Sequence, residues 1–144
     1  GYYYIPHIVK RIEGRDSLDR RFYERHYTKV DPKHFDPIVE GMWRGVNVGG
    51  TSTMARLEGW DVCGKTGTAE NPRGRDHSTF LSFAPKDNPR IAISVYVENG
   101  GFGATSALPI ASLLEEYYLT DTIRRPALLE YVKNMQLYYP AYDK

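Results

Sequence analysis

Residues 60–70 read WDVCGKTGTAE, and two further extended stretches follow, STFLSFA at 78–84 and RIAISVYVE at 90–98. The last alternates most clearly, with Ile91, Ile93, Val95 and Val97 on one face of a period-two strand. In the first, Gly64 and Gly67 interrupt the strand. Glycine there weakens pairing and marks close approach by another backbone or a ligand. NPRGRD at 71–76 and PKDNP at 85–89 are dense turn signals. Extended segments joined by short turns pair as antiparallel neighbours. The pattern predicts three consecutive antiparallel strands near 60–69, 77–84 and 90–98.

Outward from this meander the period changes. After Asn99-Gly100-Gly101, residues 105–119 predict a helix with Leu108, Ala111, Leu114 and Tyr118 on its apolar stripe. Pro126 opens a last short helix through about Met135, and a tyrosine-rich tail follows at 138–142. Upstream, residues 37–46 place Ile38, Met42, Gly45 and Val46 at helical spacing, with Val39 and Trp43 beside them. Asp31-Pro32 and Asp36-Pro37 are entry signals for it, and Gly49-Gly50-Thr51 stops it. Residues 5–12 read as extended, 13–25 as a charged, solvated connection, and 24–30 as a short strand. The class is mixed α+β: three antiparallel strands with flanking helices.

Nineteen basic and eighteen acidic side chains leave a net charge of +1, which argues against general electrostatic binding to nucleic acid or membranes. The single cysteine, Cys63, excludes an intramolecular disulfide and leaves the compartment open. No apolar run approaches the roughly 18–20 residues of a membrane span, and no signal peptide is visible. Twelve tyrosines favour amphipathic surfaces and grooves over a dry core.

The sharpest chemical signal is Lys65-Thr66-Gly67-Thr68, on a strand that leads into an antiparallel pair and a helix. A strand edge can offer backbone donors to an extended peptide. With Gly41-Met42, Gly50-Thr51, GKTGTAE at 64–70, Asp76-His77, FAPKDNP at 83–89 and VENGG at 97–101, the chain resembles the C-terminal half of a class B penicillin-binding protein transpeptidase domain, the elongation type most of all. The likeness is strongest over residues 42–119 and extends more faintly to the start of the chain.

This resemblance implies the penicillin-binding and serine β-lactamase-like fold, with residues 1–119 as the C-terminal portion of the transpeptidase domain and 120–144 as a helical, tyrosine-rich tail. It implies a serine-type D,D-transpeptidase that cross-links cell-wall stem peptides ending in D-Ala-D-Ala and is acylated by β-lactam antibiotics. It assigns Lys65 to the proton and electrostatic network, and the Thr66 and Thr68 hydroxyls to the substrate or β-lactam carboxylate. The Thr68 backbone N–H becomes half of the oxyanion hole, and Gly67 lets the substrate backbone lie close. It implies no cofactor and no metal, wall-elongation proteins as partners, and a place in the bacterial cell envelope at the periplasmic face of the inner membrane.

One departure matters. Neither Ser-x-x-Lys nor Ser-x-Asn occurs anywhere: Ser17, Ser52, Ser78, Ser82, Ser94, Ser106 and Ser112 all lack the required partners. In the family both motifs precede Lys-Thr-Gly, so the simplest expectation is a truncated piece, inactive alone. A non-enzymatic sensor or scaffold module is the alternative, and a serine β-lactamase a weaker third.

The remaining residues have plainer readings. His77 is expected to hydrogen-bond at a strand entry rather than to catalyse, and Cys63 to be a buried small residue. His7, His26 and His34 are too scattered for a metal site. Arg73 and Arg75 decorate a turn near the cleft rim. Trp43 is expected to anchor the core, and the tyrosines at 2–4 and 138–142 to pack.

Overall fold

Short turns and alternation do produce the meander. In the computed structural model, which describes residues 1–15 and 17–137, strands β1 (Tyr2–Tyr3) and β2 (His26–Tyr27) form a small antiparallel ribbon. Helix α1 spans Phe35–Asn47. Strands β3 (Cys63–Ala69), β4 (His77–Ala84) and β5 (Ile91–Val97) form an antiparallel sheet in that order. Helices α2 (Ala107–Thr120) and α3 (Pro126–Lys133) follow. The tail at 138–144 lies outside the described residues.

By internal contacts the chain divides into Gly1–Ile38 and Val39–Lys144. In the first unit the expected strand over 5–12 carries no ladder; Pro6 sits at its start and Ile8 is wholly exposed. Tyr2, Tyr3 and Tyr4 are half-exposed rather than packed into a core. Along this ribbon the rings cover one another instead, Tyr2 edge-on to Tyr4 and to Tyr27. Tyr3 stacks on His26 at 5.4 Å, and Arg25 lies 4.5 Å above the Tyr2 ring. Asp31 caps the 3-10 turn Pro32–His34 by accepting the Lys33 N–H at 3.1 Å.

In the second unit the register is continuous, from Cys63 opposite Phe83 to Ala69 opposite His77, and from Ser78 opposite Val97 to Ala84 opposite Ile91. Period two therefore puts Phe80, Ile93 and Val95 on one face, where α2 packs. That face, with Val46 of α1 and Leu108, Ala111 and Leu119 of α2, makes the core. β3 begins at Cys63 rather than Trp60 because residues 57–60 are taken up by a tight turn with Leu57 bridged to Trp60.

The predicted stripe on α2 is rotated. Leu114 and Tyr118 face outward, while Ser112, Glu115 and Glu116 are buried beside Leu108 and Ala111. Polar partners make this possible. Arg125 donates from Nε to Glu116 Oε2 at 3.0 Å and from Nη2 to the Ser112 carbonyl and Oγ, both at 2.9 Å. A carboxylate as enclosed as Glu116 requires such a pairing. Trp43 is only half-buried; its Nε1 donates to Asp61 Oδ1 at 2.8 Å.

Candidate functional site

Lys65-Thr66-Gly67-Thr68 occupies the middle of β3, an edge strand: β4 pairs along one side, and no described element pairs with the other. Alternation gives Lys65 and Gly67 one face and Thr66 and Thr68 the other, which they share with Ser78 and Phe80. The four residues thus line a single free edge while aiming their side chains two ways.

Lys65 is exposed, and its Nζ donates to the Thr66 carbonyl at 2.6 Å. Thr66 Oγ1 lies 3.2 Å from Thr51 Oγ1, a partner that the sequence reading did not place in the site. The signal was present in Gly50-Thr51. A β-carbon on Gly50 would come within 2.6 Å of the Gly45 backbone, so only glycine lets this loop fold back on α1 and deliver Thr51 to the strand. Ser52 N–H, donating to the Gly45 carbonyl at 3.2 Å, holds the turn.

Gly67 has a structural reason for its identity beside the expected one. A β-carbon there would collide with the hydroxyl of Thr79 across the ladder. Thr68 is exposed and stands opposite Ser78. Ser78 is fully buried; its Oγ donates to the Phe102 carbonyl and accepts the Ala107 N–H, each at 3.0 Å. The start of α2 is thereby fastened behind the strand that carries Thr68.

His77 sits where the sequence placed it, at a strand entry, and its Nδ1 accepts the Asn99 N–H at 3.0 Å. Cys63 is buried, and burial pushes its thiol up to about 11, which keeps it protonated and unreactive. The arrangement offers a cation, two hydroxyls and strand amides along one edge. It can hold a carboxylate-bearing extended peptide and polarise a carbonyl.

A family model described as the penicillin binding protein transpeptidase domain matches residues 1–114. Peptidoglycan D,D-transpeptidase MrdA of Haemophilus influenzae is 32% identical over 138 residues, covering 82% of this chain and 21% of that protein. Among solved structures, Pseudomonas aeruginosa PBP2 aligns with a TM-score of 0.62 at 33% identity, over 83% of this chain and 26% of its own. Penicillin-binding protein A from M. tuberculosis, as its imipenem acyl-enzyme complex, aligns with a TM-score of 0.57 at 30% identity, over 67% and 22%. The chain spans about a fifth to a quarter of the length of these relatives.

Proposed function

The chain belongs to the penicillin-binding protein transpeptidase family and has its mixed α+β fold, and from that premise we propose that it is the C-terminal part of a peptidoglycan D,D-transpeptidase of the elongation type. The observation that carries the reading is Lys65-Thr66-Gly67-Thr68 on a strand whose outer edge no described element pairs with. A stem peptide ending in D-Ala-D-Ala, or a β-lactam, lies along that edge. Thr66 and Thr68 hold its carboxylate, the Thr68 N–H donates to the developing oxyanion, and Lys65 keeps the proton network poised.

A serine oxygen from another part of the polypeptide bonds to the carbonyl carbon. The carbonyl–nitrogen bond breaks and the serine proton passes to that nitrogen: the terminal D-Ala departs as a free amine, whereas a β-lactam nitrogen stays tethered as its ring opens. Such a protein works in the bacterial cell envelope, at the periplasmic face of the inner membrane and beside the elongation proteins, without nucleic acid.

The test is labelling with a fluorescent penicillin followed by denaturing electrophoresis. The full polypeptide that contains this chain takes the label, and residues 1–144 alone do not. A labelled band from residues 1–144 alone would overturn the reading that the nucleophile lies elsewhere. An unlabelled full polypeptide would favour a non-enzymatic module.

A further inference from the structure

The turn between β3 and β4 and the loop between β5 and α2 are tied together by side chains that the proposed chemistry does not use. Asn71 Nδ2 donates to Asn99 Oδ1 at 2.9 Å and to the Arg75 carbonyl at 3.2 Å. Asn71 Oδ1 accepts the Arg73 N–H at 3.0 Å, and Asp76 Oδ1 accepts the Asn71 N–H at 3.1 Å. From the other side, Asn99 N–H donates to His77 Nδ1, and Gly101 N–H donates to the Asp76 carbonyl at 2.8 Å. Asn99 takes a left-handed backbone, φ 54°, and Gly101 another, φ 76°. Asparagine tolerates that conformation better than most residues and still supplies a side-chain acceptor.

The tie reaches the candidate site directly. Beyond it, Gly103 lies against the sheet so closely that a β-carbon would come within 2.5 Å of the Gly67 carbonyl oxygen and 2.9 Å of its nitrogen. The loop that Asn99 begins thus presses on the backbone of the third residue of Lys-Thr-Gly-Thr. Its far end is held by Ser78 through Phe102 and Ala107.

We infer that Asn71 and Asn99 are positioning residues: their amide pair sets the loop at 99–103 against Gly67 and so fixes where the Thr68 N–H stands along the edge. This rests on the acyl-transfer reading. An oxyanion donor acts through its placement, so a small displacement slows the chemical step while first binding is spared.

The experiment uses the full polypeptide with Asn71→Ala, Asn99→Gly and Asn71→Asp. Asn99→Gly keeps the left-handed backbone and deletes the acceptor. Asn71→Asp keeps a side chain that a flipped Asn99 amide can donate to. Two quantities are measured: hydrogen–deuterium exchange across residues 63–69, and penicillin acylation resolved into initial affinity and acylation rate constant. Asn71→Ala and Asn99→Gly speed exchange and slow the acylation rate constant about tenfold, the loss of roughly one hydrogen bond's worth of positioning. Initial affinity is unchanged, and Asn71→Asp, which regains a contact to Asn99 but loses the donor to the Arg75 carbonyl, restores part of the rate.

Unaltered exchange in both Asn71→Ala and Asn99→Gly overturns the inference, as does faster exchange with unaltered acylation, or a loss confined to initial affinity. Faster exchange in a polypeptide that takes no penicillin even when unsubstituted keeps the tie and overturns the acyl-transfer reading, so the two failures are distinct.

Discussion

Glu115 of α2 meets Ser82 of β4 inside the core: Ser82 Oγ donates to Glu115 Oε2 at 3.1 Å, while Oε1 has no partner among the described residues. Burial pushes this carboxyl up to about 7; the Ser82 hydrogen bond and the charge of Arg125 oppose the rise without cancelling it.

The folded state therefore binds a proton more tightly than the unfolded chain, whose carboxyl titrates near the ordinary 4.5. The contribution to stability is full below about pH 4.5 and is lost as pH rises through about 7. The span between those values corresponds to roughly 3 kcal/mol at most. Urea unfolding at pH 5 and pH 8 should show the protein weaker at pH 8. Glu115→Gln, which keeps an acceptor for Ser82 and carries no charge, should flatten that difference and be the more stable protein at pH 8. An unchanged pH slope in Glu115→Gln would mean that another group sets it.

Gly67 and Thr79 compete for one space across the β3–β4 ladder. Gly67→Ala should destabilise by about 1–3 kcal/mol, the usual range for overpacking. Thr79→Ala removes the obstructing hydroxyl, so the double variant should recover a large part of that loss. Melting temperatures of the four proteins in the cycle measure the coupling. Additive losses would show that the clash is relieved elsewhere.

Lys65 and Thr68 are both exposed, so their truncation should leave the melting temperature unaltered. In the full polypeptide, Lys65→Ala should lower the second-order acylation rate strongly. On the proposed mechanism Thr68→Ala keeps the backbone donor and loses one hydroxyl contact to the carboxylate, about 1.5–3 kcal/mol. That corresponds to roughly ten- to a hundredfold in rate. Equal acylation by Lys65→Ala and the unsubstituted polypeptide would remove Lys65 from the proposed mechanism.

The outer edge of β5 pairs with no described element, and its Ala92, Ser94 and Tyr96 are exposed. Unpaired edges recruit other chains. Residues 1–144 alone should self-associate, visible in light scattering as mass rising with concentration, and Ser94→Lys should reduce it. A dilute and concentrated sample of equal monomer mass would show that the edge is covered.

The meander was legible because period two and turn residues act locally: Ile91 to Val97 declare their inner face without knowledge of what covers it. Helix α2 was harder. Its inner face includes Ser112, Glu115 and Glu116, which hydropathy assigns to solvent, and their partners Ser82 and Arg125 come from elsewhere in the chain. Tyr2, Tyr3 and Tyr4 misled for the opposite reason, since their apolar rings stay half-exposed along a two-stranded ribbon. At the site, Lys65 to Thr68 stood out as a contiguous string. Thr51 did not, because its proximity to Thr66 depends on a glycine contact between Gly45 and Gly50. Asn71 and Asn99 looked like ordinary turn residues until the two turns were seen to meet.

The unbroken register from β3 through β5 also bears on the order of assembly. Each strand pairs with its immediate successor across a short turn, so the wall holding Lys65 to Thr68 is built from contacts close in sequence. Such hairpin-by-hairpin structure involves little loop-closure entropy and forms on the fast side of folding. The pairing of residues 63–97 is local, while the apolar face it creates is closed by Val46 of α1 and Leu108, Ala111 and Leu119 of α2. Among the described residues nothing pairs along the open side of β3, so whatever lies there meets a wall whose own hydrogen bonds are all made between neighbours in sequence.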